Sequence, residues 1–227
     1  MPSCKIGTNV FGGMNVTTLY LIRHGESQAN EKDVFIGHTD LELTDLGKKQ
    51  AEITAGYLKN ITPDVIYSSD LKRAYATAEA TAKQHGMEIT VEPGLREIYA
   101  GSWEYVPFAR LETQCPETYG IWCKDVANAR CDDGESVAEV YSRVSKTIRQ
   151  IAQRHPDSTV FIFSHATPVR TFAVYSMGKS VTALPELPWP SNASVTKVTF
   201  DGENFNLLEY STDHFMGDLA TRLPDNV

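Results

Sequence analysis

The sequence predicts an α/β fold: a three-layer sandwich with a mostly parallel central sheet, helices on both faces, and an insertion over one edge. Three observations carry that expectation. Short apolar runs, Thr18–Ile22 and Thr159–Phe163, read as strands buried on both faces. Helical patterns alternate with such runs along the chain. The strongest of them opens on a capping box, Ser136-x-x-Glu139, and keeps Val137, Val140, Tyr141, Val144, Ile148 and Ile151 at the helical period.

Taken in order, Thr18–Ile22 is the first strand. A helix from Thr44 to about Lys59 places Leu46, Ile53 and Tyr57 on one side. Pro63 precedes a second strand, Val65–Ser68. The helix from about Leu71 repeats Ala74, Ala78 and Ala82, a small-residue face suited to close packing. Ile89–Val91 is a short third strand. The capped helix ends before Pro156, the strand Thr159–Phe163 follows, and Pro168 suits the first turn of the next helix. Val195–Phe200, Asp201-Gly202 and Phe205–Tyr210 form a closing hairpin. Between Tyr99 and Asp133 the alternation stops. That aromatic-rich stretch holds three of the four cysteines and reads as an insertion within one domain spanning 14–227. Its aromatic residues, Tyr99, Trp103, Tyr105, Phe108, Tyr119 and Trp122, are expected to pack among themselves, with one or two walling a pocket. Residues 1–13 read as a flexible arm without the apolar stretch of a secretory signal, and Met14 is a candidate start.

The chain has 227 residues, 41% hydrophobic and 22% charged, enough to bury a core without disulfide or metal. Lys plus Arg is 21 against 29 for Asp plus Glu, a net charge of −8. That balance argues against nucleic acid or an anionic membrane as the main partner. A small anionic ligand needs only a local positive cluster. Cys4, Cys115, Cys123 and Cys131 form no C-x-x-C pair and read as reduced thiols in a cytoplasmic protein; the alternative is a disulfide between two of the last three. No apolar run approaches a membrane span.

In such sheets, ligands bind beyond the carboxyl ends of the strands. Arg23-His24-Gly25-Glu26 follows the first strand, Ser68-Ser69-Asp70-Leu71-Lys72-Arg73 the second, Leu95-Arg96-Glu97 the third and Ser164-His165 the fourth. Each alone has an ordinary reading: a turn-holding His, a surface Arg, a solvated Glu. Together they bring two His, two Arg and one Glu to one crevice, and the insertion to the active-site edge.

These motifs identify a family. Leu21-Ile22-Arg23-His24-Gly25-Glu26-Ser27, Ser69-x-Leu71-x-Arg73-Ala74-x-x-Thr77-Ala78, Leu95-Arg96-Glu97 and Ser164-His165 together resemble the histidine phosphatase superfamily, the phosphoglycerate mutase-like group. Supporting matches are Asn30, Gly37-x-x-Asp40-x-x-Leu43-Thr44-x-x-Gly47 and Gly134-Glu135-Ser136, and the likeness runs from Leu19 to about Ser211.

The resemblance implies a metal-independent phosphatase that needs no cofactor and acts on a small phosphorylated metabolite. His24 would attack phosphorus, its other ring nitrogen giving its proton to a backbone carbonyl. Gly25 would let the backbone close up beside that ring. Arg23 and Arg73 would grip the phosphoryl oxygens, Asn30 would add an amide contact, and Ala166 would offer its backbone amide. His165 would be a second imidazole, protonated beside bound phosphate. Glu97 would serve as general acid and then base. Two positions depart from the family pattern: Ala166 and Thr167 follow His165 where many members have glycines, and Ile36 replaces a hydroxyl residue of mutase-type members. Two rivals follow, a cofactor-dependent phosphoglycerate mutase-type phosphotransferase and a non-catalytic phosphate-binding protein on the same fold. Against the mutase, Glu97 leads into Gly101-x-Trp103-Glu104, the phosphatase form, and the insertion offers Arg110, Lys124 and Arg130 without an adjacent Arg pair. A metal site built on His24, Glu26 and Asp40 lacks a ligand-type spacing. The oligomeric state stays open, a homodimer being one option.

Overall fold

The computed structural model describes residues 16–221 and 223; the arm expected over 1–13 lies outside the described residues. Strand β1 (Thr17–Arg23) is apolar throughout its middle because both faces are covered. Leu19 and Leu21 enter one core layer, Tyr20 and Ile22 the other. A one-turn helix α1 (Gln28–Glu31) and a short strand β2 (Val34–Phe35) follow.

Helix α2 (Asp45–Leu58) starts on Thr44, whose hydroxyl accepts the Gly47 N–H at 3.0 Å. Its buried face is not the expected one. Gly47, Gln50, Ala51, Thr54, Ala55 and Leu58 face inward, while Leu46 and Ile53 are half-buried and Tyr57 is exposed. The reason is space. A Cβ on Gly25 would lie 2.4 Å from the Gly47 carbonyl oxygen, so the helix approaches β1 too closely for large side chains. Tyr57 instead stacks on Phe215 at 4.1 Å, in the 3-10 stretch His214–Leu219.

After β3 (Val65–Ser68) comes helix α3 (Lys72–His85), with Ala74, Ala78 and Ala82 buried as expected, and it closes on left-handed Gly86. Strand β4 (Ile89–Val91) forms one sheet edge. The insertion contributes β5 (Val106–Pro107), which pairs with β2, and two helices, α4 (Phe108–Gln114) and α5 (Pro116–Lys124). Tyr119 and Trp122 each pack edge-on against Trp103, and all three join the main core; Tyr99 and Tyr105 are exposed instead. Cys115, Cys123 and Cys131 are free thiols, which removes the disulfide alternative among them.

Helix α6 (Val137–Arg154) carries the capping box as read: Glu139 accepts the Ser136 N–H at 2.8 Å, and the Ser136 hydroxyl accepts the Glu139 N–H at 3.2 Å. Then come β6 (Thr159–Ser164), α7 (Ala166–Ser176) and the hairpin β7 (Val195–Phe200) and β8 (Phe205–Thr212). The sheet order is β4-β3-β6-β1-β7-β8, the first four strands parallel and the hairpin antiparallel to β1 at β7. Helices α6 and α7 cover the face bearing Leu19, Leu21, Val160 and Ile162. Helices α2 and α3 cover the face bearing Ile22, Phe161 and Phe163. Each fully buried side chain of this size stabilises by about 1.5–3 kcal/mol. Among the described residues, no helix is long and apolar enough to cross a membrane.

Candidate active site

Parallel β1, β3 and β6 end on the same side and within one residue of one another: Arg23 stands beside Ser164, and Ser68 beside Phe163. The next residues out are His24, Ser69 and His165. The two imidazoles therefore meet, with ring centroids 5.2 Å apart and both rings buried.

The tautomer of His24 follows from its neighbour. Nδ1 lies 2.7 Å from the Gly25 carbonyl oxygen, which can only accept, so Nδ1 holds the proton and Nε2 keeps its lone pair. Burial drives the His24 pKa well below the usual histidine value; Arg73 and Arg23 push the same way, and the Gly25 carbonyl opposes them. The close approach expected of Gly25 is real, but it is made against Gly47 of α2.

His165 caps α7, and its Nε2 shares a 2.9 Å hydrogen bond with the Ser69 hydroxyl. Its Nδ1 is buried without a partner among the described residues. Burial, then Arg73, His24, Arg23 and His38, lower its pKa well below the usual value. These surroundings favour the neutral form of His165, and the imidazolium expected beside phosphate would draw on that anion's charge.

Both arginines are about 1% exposed. Arg23 donates to the Pro190 carbonyl through Nη1. Arg73 donates to the carbonyls of Gly37 at 2.7 Å and Thr39 at 3.2 Å. The Nε of each is buried without a partner among the described residues, and both side chains line one cleft. Burial lowers the Arg23 pKa to about 10, with Glu97 and Tyr210 opposing, so it stays cationic at neutral pH.

Glu97 lies across the cleft, 7% exposed, after the 3-10 turn Pro93–Leu95. Its carboxylate accepts the N–H of Ile98 at 2.8 Å and of Thr167 at 3.3 Å. Arg143 of α6 holds that segment, donating to the carbonyls of Gly94, Arg96 and Glu97 while pairing with Glu135 at 2.9 Å. Asn30 accepts from Ser27 and from Asn192 through Oδ1, which leaves its amide N–H groups for a ligand. Ala166 opens α7 at the cleft wall, where first-turn N–H groups lack intrahelical partners. Glu26 accepts from the Thr44 hydroxyl and Asp40 from the Lys72 N–H, so both carboxylates are engaged away from His24.

A family model for the histidine phosphatase superfamily (branch 1) matches residues 19–213. The chain belongs to that superfamily. It is 35% identical over 160 residues to phosphoserine phosphatase 1 of Hydrogenobacter thermophilus, covering 70% of this chain and 76% of that protein. It is 28% identical over 211 residues to glucosyl-3-phosphoglycerate phosphatase of Mycobacterium tuberculosis, covering 88% and 94%. Among solved structures it resembles YhfR of Bacillus stearothermophilus with a TM-score of 0.83 and 28% identity, over 88% of this chain and 99% of that one.

Several residues of this histidine phosphatase site gave no sequence signal of their role. Asn192 donates to the His24 carbonyl and to Asn30 from the loop before β7, a segment without periodicity. Ser69 orients His165. Glu104, noticed only as part of a motif, organises residues 37–39: its carboxylate accepts the N–H groups of Gly37, His38, Thr39 and Ala100. That loop in turn supplies both carbonyls that bind Arg73. His38 donates from its ring toward the Glu97 carbonyl, 3.0 Å away, and stands behind the cleft.

Proposed function

We propose that this chain hydrolyses phosphate monoesters through a phosphohistidine at His24. One observation carries the reading: the Gly25 carbonyl fixes the proton on Nδ1, leaving a buried, neutral Nε2 at a cleft that Arg23, Arg73 and Glu97 also line. Nε2 attacks phosphorus and the ester P–O bond breaks, the leaving oxygen taking a proton from Glu97. Arg23, Arg73, Asn30, His165 and the Ala166 N–H hold the non-bridging oxygens as charge shifts among them. Glu97 then removes a proton from water, the water oxygen attacks phosphorus, and the P–N bond breaks to release inorganic phosphate. The arginines and the imidazole supply the positive field, so the steps use this chain's own groups.

The relatives named above as phosphatases support hydrolysis over mutase chemistry, and so does the disposition of the insertion's cations. Arg110 and Lys124 are exposed, and Arg130 pairs with Glu139, so none of the three lines the cleft where a mutase would hold a carboxylate. The free thiols favour a cytoplasmic enzyme, and a cleft lined by both arginines and His24 favours a small phosphorylated metabolite as substrate.

His24→Ala should abolish phosphate release with the fold retained, and a rapid quench of the parent protein should trap an acid-labile, base-stable phosphate on His24. Phosphoserine or phosphoaspartate in its place refutes the mechanism. Glu97→Gln should slow an alkyl phosphate far more than nitrophenyl phosphate, whose leaving group departs without a proton.

A further inference from the structure

Beyond its phosphoryl end the cleft changes character. The walls that a leaving group would meet are Val34, Phe35, Ile36, Phe108, Trp122 and Trp189. No Lys and no further Arg lines the cleft among the described residues. The nearest cation in this wall is spent behind it. Arg170 lies 4.3 Å over the Trp189 ring and donates to the carbonyls of Leu187 at 2.9 Å and Leu184 at 3.1 Å. Its charge therefore backs an aromatic face and does not reach for a carboxylate.

The wall is also fixed in place. Trp189 stacks on Trp122 at 5.8 Å with an interplanar angle of 17°, and Phe35 meets Trp122 edge-on at 4.9 Å and Phe108 at 5.9 Å. Each ring is held by the next, and with no Lys or further Arg among the described lining residues a carboxylate placed here would lose its water without gaining a cation. An apolar group gains by burial.

We propose that the leaving group of this phosphatase is an uncharged apolar alcohol or phenol, read by Ile36, Phe108, Trp122 and Trp189. The assignment rests on the phosphatase reading and narrows it: esters of amino acids and hydroxy acids are poor substrates.

The test uses two readouts. The first compares kcat/KM for 4-ethylphenyl phosphate and phosphotyrosine, whose phenols have similar acidity and differ in charge. The second measures binding of benzylphosphonate and 3-phosphonopropionate by quenching of tryptophan fluorescence, which needs no turnover. The apolar member should win each comparison by about tenfold or more. Ile36→Lys, at a half-buried position on the wall, should lower or invert both ratios, and Trp189→Ala should lower them. Equal or better use of phosphotyrosine, or tighter binding of 3-phosphonopropionate, overturns the assignment while leaving hydrolysis intact. If no ester releases phosphate yet benzylphosphonate still binds preferentially, the wall is as assigned and the phosphatase reading fails.

Discussion

Replacing Glu104 by Gln keeps the shape of a side chain whose two oxygens accept four backbone N–H groups. Oε1 serves His38 at 2.6 Å and Ala100 at 3.3 Å, and Oε2 serves Gly37 and Thr39, each at 3.1 Å. Whichever oxygen becomes an amide nitrogen, two of the donors lose their acceptor and face another donor. Stranding each costs about 1–2 kcal/mol after allowance for partial exposure, so the loss of folding free energy is roughly 2–4 kcal/mol. The damage should concentrate on Arg73, because the Gly37 and Thr39 carbonyls are its anchors. On the phosphate-gripping role proposed for Arg73, loosening it by about 1 Å costs up to roughly a hundredfold, which sets the expected fall in kcat/KM for an aryl phosphate at about 10- to 100-fold.

The pH dependence follows from the Glu104 pKa. Burial raises it, but hydrogen bonds from the Thr39 hydroxyl and from the N–H groups of His38, Gly37 and Thr39 outweigh burial and leave it below the usual value. A carboxyl depressed on folding stabilises above its unfolded pKa of about 4.3 and loses that contribution as pH falls through the folded value. Urea denaturation should therefore show a constant gap between parent and E104Q from pH 8 to 5, narrowing in more acidic buffer. In an Arg73→Lys background the activity loss from E104Q should be much smaller, since the two changes act through one contact chain. Unfolding free energies within about 0.5 kcal/mol and unchanged kcat/KM would refute the argument.

Two further outcomes follow from the site. His24 and His165 are buried and neutral, whereas in the unfolded chain they take up protons below pH of about 6.5; stability should thus fall with acidification by up to roughly 1.4 kcal/mol per pH unit for each. His165→Gln should remove one such increment from the slope between pH 6 and 5 in urea melts, and an unchanged slope would show that His165 is not held neutral. Gly25→Ala drives a Cβ to 2.4 Å from the Gly47 carbonyl, backbone against backbone, and should cost about 3 kcal/mol or more along with activity. Gly56→Ala, in open space within α2, should stabilise by about 0.5–1 kcal/mol, and thermal melts that fail to separate the two refute the steric account.

The parts of the site that could be read beforehand are those placed by a strand end. Arg23-His24 and Ser164-His165 each follow an apolar run whose period is visible, so topology alone brings them together. What escaped reading depends on contacts of no fixed spacing. The carbonyl of Pro190 and the amide of Asn192 come from an irregular loop and reach Arg23 and His24 across more than 160 residues. The inward face of α2 departs from its apolar pattern for a different reason: apolarity carries no information on volume, and a helix in backbone contact through Gly25 and Gly47 buries small residues first. Helix α5 is hard to read although Pro116 at its first turn is a start signal, because the surrounding aromatic residues show no clear period.

The electrostatics suit one arrangement to both the binding and the attack proposed for it. Burial first, and the two arginines after it, make an imidazolium unfavourable, and on the proposed chemistry the arginines' field is what a phosphoryl dianion would meet. Had a carboxylate neutralised Arg23 or Arg73 at short range, His24 would hold a second proton more readily and lose its lone pair. Their side-chain partners are instead carbonyls, of Pro190, Gly37 and Thr39, which orient the guanidinium groups without cancelling their charge. On the proposed chemistry, a bound phosphoryl group offsets the two cations and lifts their penalty on the second imidazole. His165 can then take a proton and donate to phosphate, its Nδ1 having no protein partner among the described residues to give up first. His24 follows the opposite course: its Nδ1 proton stays with the Gly25 carbonyl, so the gain in negative charge is met by a forming N–P bond at Nε2. Two buried histidines 5.2 Å apart can thus play different parts because one has a backbone acceptor at Nδ1 and the other does not.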